Sequence, residues 1–533
     1  MQTSASPGIR KIFNKNEMRG KVMKHLRKFV SILLTAIMVL AMCIPVMADG
    51  ESIISVKNGD THTYGVYQIF TGELSGDKLI NVKWGQNANS SYTEGDKVEE
   101  SILNTLSVLN SKTDTEKLNT IKTYANLTGN VFGTVSAQNP LTVPNGYYLI
   151  KDNQSYVGKD DAESTYIVKV VGQNVEIERK AVKPTVDKQV QDETNDNTIT
   201  DTTSDPTLSD GWGETADHAI NESFKFKLIA TLPASNDYDS YDKYTVKFTD
   251  IMSAGVTFEK IDSVKVDGVT LDANAYVING VKRDDAGKTW TITISDLKTI
   301  NGVNLKDGAE VIVEYSAHLN ENAKVNYSTG TTDNKNTVYL EYSNNPNVSG
   351  DGEFGKTTED TVWVFTYGVN NTKYDATNNP RTPLAGVGFT LYDSKDQPVK
   401  LVLKDGYYYP VPNGQTENVV TEMTSAENGQ FNIKGLDVGQ YTLKETNVPT
   451  GYNPCEDKTV IIQASHSESQ DGSSATTTLS SNSTTSFKID NKKGSTLPET
   501  GGIGTTIFYI VGVVLVLGAG VLLVTKKRMN ADK

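Results

Sequence analysis

Residues 362–375 have the sequence VWVFTYGVNNTKYD, in which apolar residues occupy alternate positions. Because side chains two residues apart lie on the same face of a β-strand, this alternation predicts a strand with one apolar face. That face carries Trp363, Phe365, Tyr367 and Val369. Lys373 continues the same phase, so a lysine is predicted to point where the apolar residues point. Burial of a lone charge is costly, and Lys373 therefore needs polar partners in the core.

Two other polar residues of the C-terminal third have the same unexpected phase. Glu445 in YTLKETNVPTGY (441–452) shares a face with its apolar neighbours, and so does Asn491 in SFKIDNKKG (486–494). Those neighbours are Tyr441, Leu443, Phe487 and Ile489. A lysine, an acid and an asparagine are thus predicted to lie in one core.

The middle of the chain repeats this pattern in the same order. Lys188, Asp250 and Asn336 each fall in phase with apolar residues of their strands. The neighbours in phase are Val186 and Val190, then Tyr244, Val246 and Phe248, then Val338, Leu340 and Tyr342. The repeat of a complete set favours a shared chemical role. The alternative is that these residues form satisfied ion pairs, or that their phase breaks near strand ends.

The three residue types suit formation of an isopeptide bond between lysine and asparagine. Desolvation lowers the pKa of a lysine and raises the pKa of a carboxylic acid, so a neutral amine faces a protonated acid. The amine can then attack the asparagine carboxamide while the acid transfers protons. Ammonia leaves, and Asp250 and Glu445 are the predicted catalytic acids. The bonds would join Lys188 to Asn336 and Lys373 to Asn491.

Composition narrows the function classes. The 533 residues have a net charge of −14 and a pI near 5.0. The sequence has no basic stripe, so a nucleic-acid partner is not expected. Cys43 and Cys455 are the two cysteines, and Cys43 lies in a predicted signal peptide, so the mature chain is expected to lack an internal disulfide. Five scattered histidines predict no metal site, and no cofactor is expected. The sequence shows no set of serine, histidine and aspartate residues that would indicate a surface enzyme.

Both ends of the chain carry targeting signals. The N-terminal 48 residues contain a basic segment from Met23 and an apolar segment ending near Ala48, which is typical of a cleaved secretory signal. The alternative is a retained anchor.

At the other end, 18 uncharged residues (507–524) are long enough to span a membrane. The basic residues Lys526, Lys527 and Arg528 follow and are expected to stay cytoplasmic. Just before the span stand Leu497, Pro498, Glu499, Thr500 and Gly501.

Between these ends, alternating strands separated by Gly, Asn and Asp predict a mainly β fold of tandem immunoglobulin-like sandwiches. The predicted domains are 49–181, 182–360 and 361–493, followed by a C-terminal segment at 494–533 that contains the apolar span. A helical insert is expected near 98–126. The low-complexity stretch 464–486 is predicted to be a flexible surface loop.

Several of these stretches resemble a known family. YTLKETNVPTGY resembles the E-box of Gram-positive pilins and Cna-B-type domains, and KFTDIMSAGVTF (247–258) resembles the middle domain of pilus backbone subunits. The segments TYGVYQIFTGEL (63–74) and GYYLIKD (146–152) resemble their N-terminal domain. The five residues at 497–501 resemble an LPxTG sorting signal, which implies cleavage by sortase after Thr500.

The resemblance also implies covalent polymerisation. A pilin sortase joins the threonine carbonyl of one subunit to a lysine of the next, and that lysine ends the first domain. Lys180 takes this position in VEIERKAVKPTVDKQV (175–190), with Lys183 as the reserve candidate, although the usual Tyr and Pro before the lysine are replaced by Glu178 and Arg179. Asp152 occupies the acid position of the first domain. No lysine or asparagine in phase accompanies it, so no isopeptide bond is expected there.

The expected function is that of a structural subunit of a surface pilus, anchored to the cell wall after a membrane-spanning precursor stage. Its implied partners are pilin-specific and housekeeping sortases, identical subunits, minor pilins and peptidoglycan, with host ligands as a further class. The alternative is a wall-anchored adhesin or a minor tip or base pilin. Such a protein would share the sorting signal but would not need the lysine at 180 or 183.

Overall fold

A computed structural model describes most of the chain between Gly50 and Met529. The described residues are 50–76, 78–112, 114–163, 165–170, 172–178, 183–192, 211–233, 238, 241–303, 305, 308–346, 348, 350, 352–412, 414–469, 471–495 and 503–529. The predicted signal peptide, Lys180 and the LPETG peptide (497–501) lie outside them. The described part is mainly β, as the alternation predicts.

The first domain encloses its core between two sheets. Its strands are β1 Glu51–Val56, β2 Thr63–Ser75, β3 Lys78–Trp84, β4 Gly133–Ser136, β5 Leu141–Pro144, β6 Gly146–Asp152, β7 Thr165–Val170 and β8 Val175–Ile177. One sheet has the order β5-β1-β8, and the other has the order β3-β2-β6-β7 with β4 paired to β2. Apolar side chains of both sheets, such as Ile54 and Tyr148, pack in one core.

The expected helical insert is confirmed in the first domain. It consists of α1 (Glu100–Ser107), a short 3-10 turn (Val108–Ser111) and α2 (Asp114–Thr123). The predicted apolar positions of the insert pack against the outer face of the larger sheet, where Trp84 and Phe70 are buried. These positions are Ile102, Leu103, Leu106 and Leu109.

The middle domain is a sandwich of a six-stranded and a seven-stranded sheet. Its strands are β9 Thr185–Gln191, β10 Trp212–Gly213, β11 Thr215–Asp217, β12 Ser223–Thr231, β13 Val246–Met252, β14 Val256–Val266, β15 Val269–Thr270, β16 Val277–Asn279, β17 Thr289–Ile294, β18 Glu310–Leu319, β19 Gly330–Thr331, β20 Lys335–Ser343, β21 Phe354–Lys356 and β22 Asp360–Phe365. The six-stranded sheet has the order β10-β9-β12-β18-β14-β15. The other has the order β11-β22-β20-β13-β17-β16, with β21 paired to β20. Side chains of both sheets, such as Phe226 and Leu340, form the core.

The third domain has a seven-stranded and a four-stranded sheet. Its strands are β23 Tyr367–Asp375, β24 Thr382–Pro383, β25 Gly388–Tyr392, β26 Leu401–Lys404, β27 Tyr407–Pro410, β28 Val419–Val420, β29 Glu422–Thr424, β30 Asn432–Leu436, β31 Gly439–Asn447, β32 Lys458–Ile462, β33 Ala464–Glu468, β34 Ala475–Leu479 and β35 Ser486–Asn491. The larger sheet has the order β24-β23-β30-β27-β26-β28, and β35 lies parallel to β23. The smaller has the order β29-β25-β31-β32. Beyond them, α3 spans Ile503–Met529.

Strand β22 links the middle and third domains by contributing to both cores. It pairs with β20 and β11 of the middle domain, and Val362 and Val364 pack in the middle core. The alternate residues Trp363 and Phe365 pack in the third core, on the face that the sequence predicts for them. The expected boundary between residues 360 and 361 falls at the beginning of this strand, so the two domains share it.

The prediction that 464–486 is a flexible surface loop is wrong. This stretch contains β33 and β34, which form a hairpin, and β34 also pairs with β19 of the middle domain. His466 and Thr477 of the hairpin are buried, and their side chains contact the hydroxyl of Tyr367. The run of three threonines at 476–478 suits a strand because β-branched side chains pack well on a pleated surface. The low-complexity stretch therefore joins two domains.

The Tyr367 hydroxyl is the centre of this interface and provides a test of it. It donates to Asp217 Oδ1 at 2.5 Å and lies 2.9 Å from Thr477 Oγ1. Tyr367→Phe would leave buried polar groups without this partner, so we expect the free energy of unfolding to fall by about 1–3 kcal/mol. Denaturant unfolding of the chain measures the change, with the partly exposed Tyr339→Phe as control. Equal stability of both variants would contradict the role of the hydroxyl.

Candidate functional site

The middle domain brings Lys188, Asp250 and Asn336 together in its core, as the phase argument predicts. Lys188 lies on β9 of the six-stranded sheet, whereas Asp250 and Asn336 lie on the neighbouring strands β13 and β20 of the facing sheet. All three residues are 0% exposed. A covalent link between Lys188 and Asn336 would therefore tie the two sheets to each other.

Direct contacts connect these residues. The Lys188 ammonium forms an ion pair with Asp250 Oδ2. The other carboxylate oxygen, Asp250 Oδ1, accepts from the indole N–H of Trp290 at 3.1 Å. The side-chain nitrogen of Asn336 donates to the hydroxyl of Tyr315, and that hydroxyl lies 2.9 Å from Asp250 Oδ2. The amine, the acid and the amide thus share one hydrogen-bond network.

Burial favours the neutral forms of the pair. Desolvation lowers the pKa of the Lys188 amine, although the adjacent Asp250 carboxylate partly opposes this shift. Desolvation also raises the pKa of the Asp250 carboxyl, and the lysine again opposes it. Both directions move the proton from the amine to the acid. A neutral amine has a free lone pair, which is the form that attacks a carbonyl carbon.

The third domain assembles the second predicted set. Lys373 on β23 and Asn491 on β35 lie on adjacent parallel strands, the first and the last of the domain's sheets. Glu445 reaches them from β31 of the facing sheet. The side chains of Lys373 and Glu445 are 0% and 1% exposed. The structure therefore brings both predicted sets of three residues together.

The geometry of this set is compact. The Lys373 amine donates to Asn491 Oδ1 at 2.6 Å, and Asn491 Nδ2 donates to Glu445 Oε1 at 2.5 Å. Glu445 Oε2 lies 3.6 Å from the Lys373 nitrogen. Desolvation lowers the pKa of Lys373, with Cys455 and Glu445 opposing the shift. The amine, the amide and the acid are in mutual contact without an intervening group.

Sequence reasoning missed three residues of these sites. Tyr315 and Trp290 are in phase with the apolar residues of their strands, so nothing in the alternation separates them from ordinary core residues. Cys455 lies outside a strand, where no periodicity applies, and its backbone N–H donates to Glu445 Oε2 at 2.6 Å. Burial raises the pKa of the Cys455 thiol to about 11, and a hydrogen bond to Glu445 adds to the shift.

In the first domain, Asp152 has a different environment from the acids of the other two domains. Its Oδ2 lies 2.7 Å from His62 Nδ1, and it also accepts from the hydroxyl of Tyr156. Asp152 is 3% exposed, so it is a buried acid with a histidine partner. Lys57, the lysine nearest in sequence to β1, forms an ion pair with Glu178 at the surface instead.

The reserve lysine at the junction of the first and middle domains is engaged in an ion pair. The Lys183 ammonium contacts the carboxylate of Asp160, and both side chains are 30% exposed. Its nitrogen also donates to the Asp160 backbone oxygen at 3.2 Å. The preferred candidate, Lys180, and the LPETG peptide lie outside the described residues.

The C-terminal helix has the properties of a membrane span. Thr506–Met529 has a mean hydropathy of 2.9, and none of its most apolar segment is buried within the protein. Lys526, Lys527 and Arg528 lie in its last turn. Among the described residues, no group of three histidine, cysteine, aspartate or glutamate side chains is arranged to hold a metal ion.

Two segments in the C-terminal part of the chain match known families. Residues 489–531 match the family described as the LPXTG cell wall anchor motif, and residues 368–477 match SpaA, described as a prealbumin-like fold domain. The match at 489–531 includes the LPETG peptide and the apolar helix. The chain is therefore a cell-wall-anchored surface protein with a membrane-spanning precursor. Its third domain is of the SpaA type, which confirms the predicted resemblance to pilin domains.

Individual relatives extend the resemblance beyond these segments. The chain is 26% identical over 312 residues to the trypsin-resistant surface T6 protein of Streptococcus pyogenes serotype M6, which is 55% of this chain and half the length of that relative. Solved structures that it resembles include the T6 backbone pilin of S. pyogenes (16% identity, 85% of this chain and 100% of that one, TM-score 0.48). Another is a fragment of the major pilin GBS80 of Streptococcus agalactiae (22% identity, 58% and 99%, TM-score 0.40).

The high pKa of Cys455 predicts slow thiol chemistry in the native chain. Since the thiolate is the reactive form, alkylation by iodoacetamide near pH 8 should be on the order of 10²-fold slower than in the denatured chain. The native rate should rise about tenfold per pH unit toward pH 11. Mass spectrometry of the Cys455 peptide measures both rates. Equal rates for native and denatured chains at pH 8 would contradict the buried environment.

Proposed function

We propose that the chain is the structural subunit of a covalently polymerised cell-surface pilus, anchored by sortase and stiffened by two internal lysine–asparagine isopeptide bonds. The observation that carries this proposal is the third-domain set, where the Lys373 amine lies 2.6 Å from the Asn491 side-chain oxygen and Glu445 contacts both residues. The matched cell-wall anchor supports the location. The bonds form once per molecule, so the chain is a building element and not an enzyme.

The chemistry starts from the neutral form of the Lys373 amine, which burial favours by lowering its pKa. The amine of Lys373 attacks Cγ of Asn491, and a bond forms between Nζ and Cγ. Glu445 holds the amide nitrogen at 2.5 Å and supplies the proton with which that nitrogen leaves as ammonia. The carboxylate then takes the proton that the attacking amine releases. Lys188, Asn336 and Asp250 have the corresponding roles in the middle domain.

The positions of the bonds suit a chain under tension. The Lys373–Asn491 bond joins the first strand of the third domain to its last and bypasses a loop of 118 residues. Force that enters β23 would pass directly into β35, and the strands between them would carry no load. By the chain-entropy argument for disulfides, closing a loop of roughly 100 residues also stabilises the fold by about 5 kcal/mol.

The path of force through the chain also explains why no isopeptide bond is expected in the first domain. If polymerisation joins Lys180 of one subunit to Thr500 of the next, force enters the chain at the end of the first domain. It then passes through the Lys188–Asn336 bond, along β22, and through the Lys373–Asn491 bond to the C-terminus. The first domain lies outside this path, and its buried acid Asp152 is paired with a histidine.

The masses of variants test the two bonds. The mature chain should weigh less than its sequence specifies by the mass of two ammonia molecules, because each bond releases one. Asp250→Ala and Glu445→Ala should each restore one ammonia mass and lower the thermal midpoint of unfolding. Intact-mass measurement with peptide mapping assigns the bonds. The control is Lys247→Ala on β13, which removes a partly exposed partner of Glu341 and should leave both bonds intact. An unmodified wild-type mass would overturn the proposal.

The polymerising lysine is tested on the cell wall. Lys180→Ala should abolish the high-molecular-weight ladder in wall extracts, since that residue is the proposed acceptor. Lys183→Ala should preserve the ladder, because the Lys183 amine is held by Asp160 and is only 30% exposed in its side chain. Immunoblots of wall extracts measure the ladder. A ladder that persists when both lysines are replaced would exclude this junction and favour a wall-anchored adhesin or a minor pilin.

A further inference from the structure

The middle-domain site contains a fourth side chain that contacts all three predicted reactants. Tyr315 on β18 is 0% exposed, and its hydroxyl lies 2.9 Å from Asp250 Oδ2 and 3.4 Å from the Lys188 nitrogen. The same hydroxyl accepts the hydrogen bond from Asn336 Nδ2. The nitrogen that must leave as ammonia therefore contacts the tyrosine.

The surrounding core fixes the position of this hydroxyl. Trp290 packs edge-on against the Tyr315 ring with centroids 5.1 Å apart, and Phe226 and Phe258 pack at 5.3 and 5.7 Å. The indole of Trp290 also binds Asp250 Oδ1, so that Oδ2 is the oxygen that faces both the lysine and the tyrosine. Tyrosine and acid are thus oriented toward each other by one tryptophan.

We propose that Tyr315 is a catalytic residue of the middle domain, whose hydroxyl relays a proton from Asp250 to the leaving nitrogen of Asn336. This inference rests on the proposed function, since it concerns the formation of the Lys188–Asn336 bond. It assigns to the middle domain a two-residue acid, in which an aspartate and a tyrosine act in series.

The comparison between the two domains supports the relay. In the third domain the acid is glutamate, and Glu445 accepts directly from the leaving nitrogen of Asn491 at 2.5 Å. The aspartate side chain is one methylene shorter. In the middle domain the corresponding amide nitrogen donates to Tyr315, and Tyr315 in turn contacts Asp250. The phenol hydroxyl therefore fills the gap that the shorter acid leaves.

The relay balances in atoms and protons. The neutral Lys188 amine attacks Cγ of Asn336, and Nζ–Cγ forms. The protonated Asp250 gives its proton to the Tyr315 oxygen while the Tyr315 hydroxyl proton passes to Nδ2, and Cγ–Nδ2 breaks with loss of ammonia. Asp250 then accepts the proton released by the former amine. Both side chains return to their initial state. Burial raises the pKa of Tyr315 well above its ordinary value, so its hydroxyl stays neutral between transfers.

Replacement of the hydroxyl tests the relay. In the full-length chain, Tyr315→Phe should slow formation of the Lys188–Asn336 bond by on the order of 10²-fold or more, the usual contribution of a positioned acid or base. The Lys373–Asn491 bond of the same molecules should form at the wild-type rate and serves as the internal control. Peptide mapping at fixed times after synthesis measures both. The matched control is Tyr342→Phe, a buried tyrosine whose hydroxyl binds the backbone oxygen of Asp161 at 3.3 Å.

A compensating substitution separates catalysis from packing. If the tyrosine extends a short acid, Asp250→Glu should restore bond formation in the Tyr315→Phe background, because the longer carboxyl reaches the amide nitrogen directly. Fluorotyrosine at position 315 keeps the ring shape but makes the hydroxyl more acidic, so it should shift the pH dependence of the rate. A purely structural tyrosine would not produce this shift.

The outcomes distinguish this inference from the proposed function. A wild-type rate of bond formation in Tyr315→Phe, or an unchanged pH profile with fluorotyrosine, would overturn the relay and leave the proposed function intact. If the wild-type chain forms no Lys188–Asn336 bond, the proposed function fails for the middle domain. If Tyr315→Phe does not fold, the fluorotyrosine profile alone decides.

Discussion

The structure depends on the burial of two lysine amines between facing β-sheets. Lys188 and Lys373 are both 0% exposed, and a charged amine in such a core costs several kcal/mol unless it is paired or becomes neutral. Each lysine meets a carboxyl group from a strand of the facing sheet. Desolvation lowers the pKa of both amines, and in the middle domain it also raises the pKa of the Asp250 carboxyl. Folding therefore creates the environment that favours a neutral amine, because each lysine is desolvated only when the core closes.

The two clusters combine a lysine, an acid and an asparagine in different arrangements. In the third domain, the lysine and asparagine lie on adjacent strands of one sheet, and the glutamate crosses from the other sheet. In the middle domain, the lysine lies on one sheet, while the aspartate and asparagine lie on the other. The shorter acid is accompanied by Tyr315 and held by Trp290.

At the joint between the middle and third domains, individual strands contribute to both domains. Strand β22 supplies alternate side chains to two cores, and the hairpin of β33 and β34 extends from the third domain to pair with β19. Asp217, Tyr367 and His466 form a buried polar contact across this joint, with His466 Nε2 3.1 Å from Asp217 Oδ1. The connection between the two domains is therefore itself part of a sheet.

The amino-acid sequence alone determined the mainly β fold, the wall anchor, the helical insert and the six polar residues that converge in two cores. Period-2 alternation is a local property, and it states directly which residues share a face with the apolar side chains. It does not state which strand of the facing sheet lies opposite. For that reason the tertiary structure alone decided that Tyr315 bridges Asp250 and Asn336, that Cys455 contacts Glu445, and that the polar stretch at 464–479 becomes a hairpin. Those contacts join strands far apart in the chain, and their geometry exists only when the sheets pack.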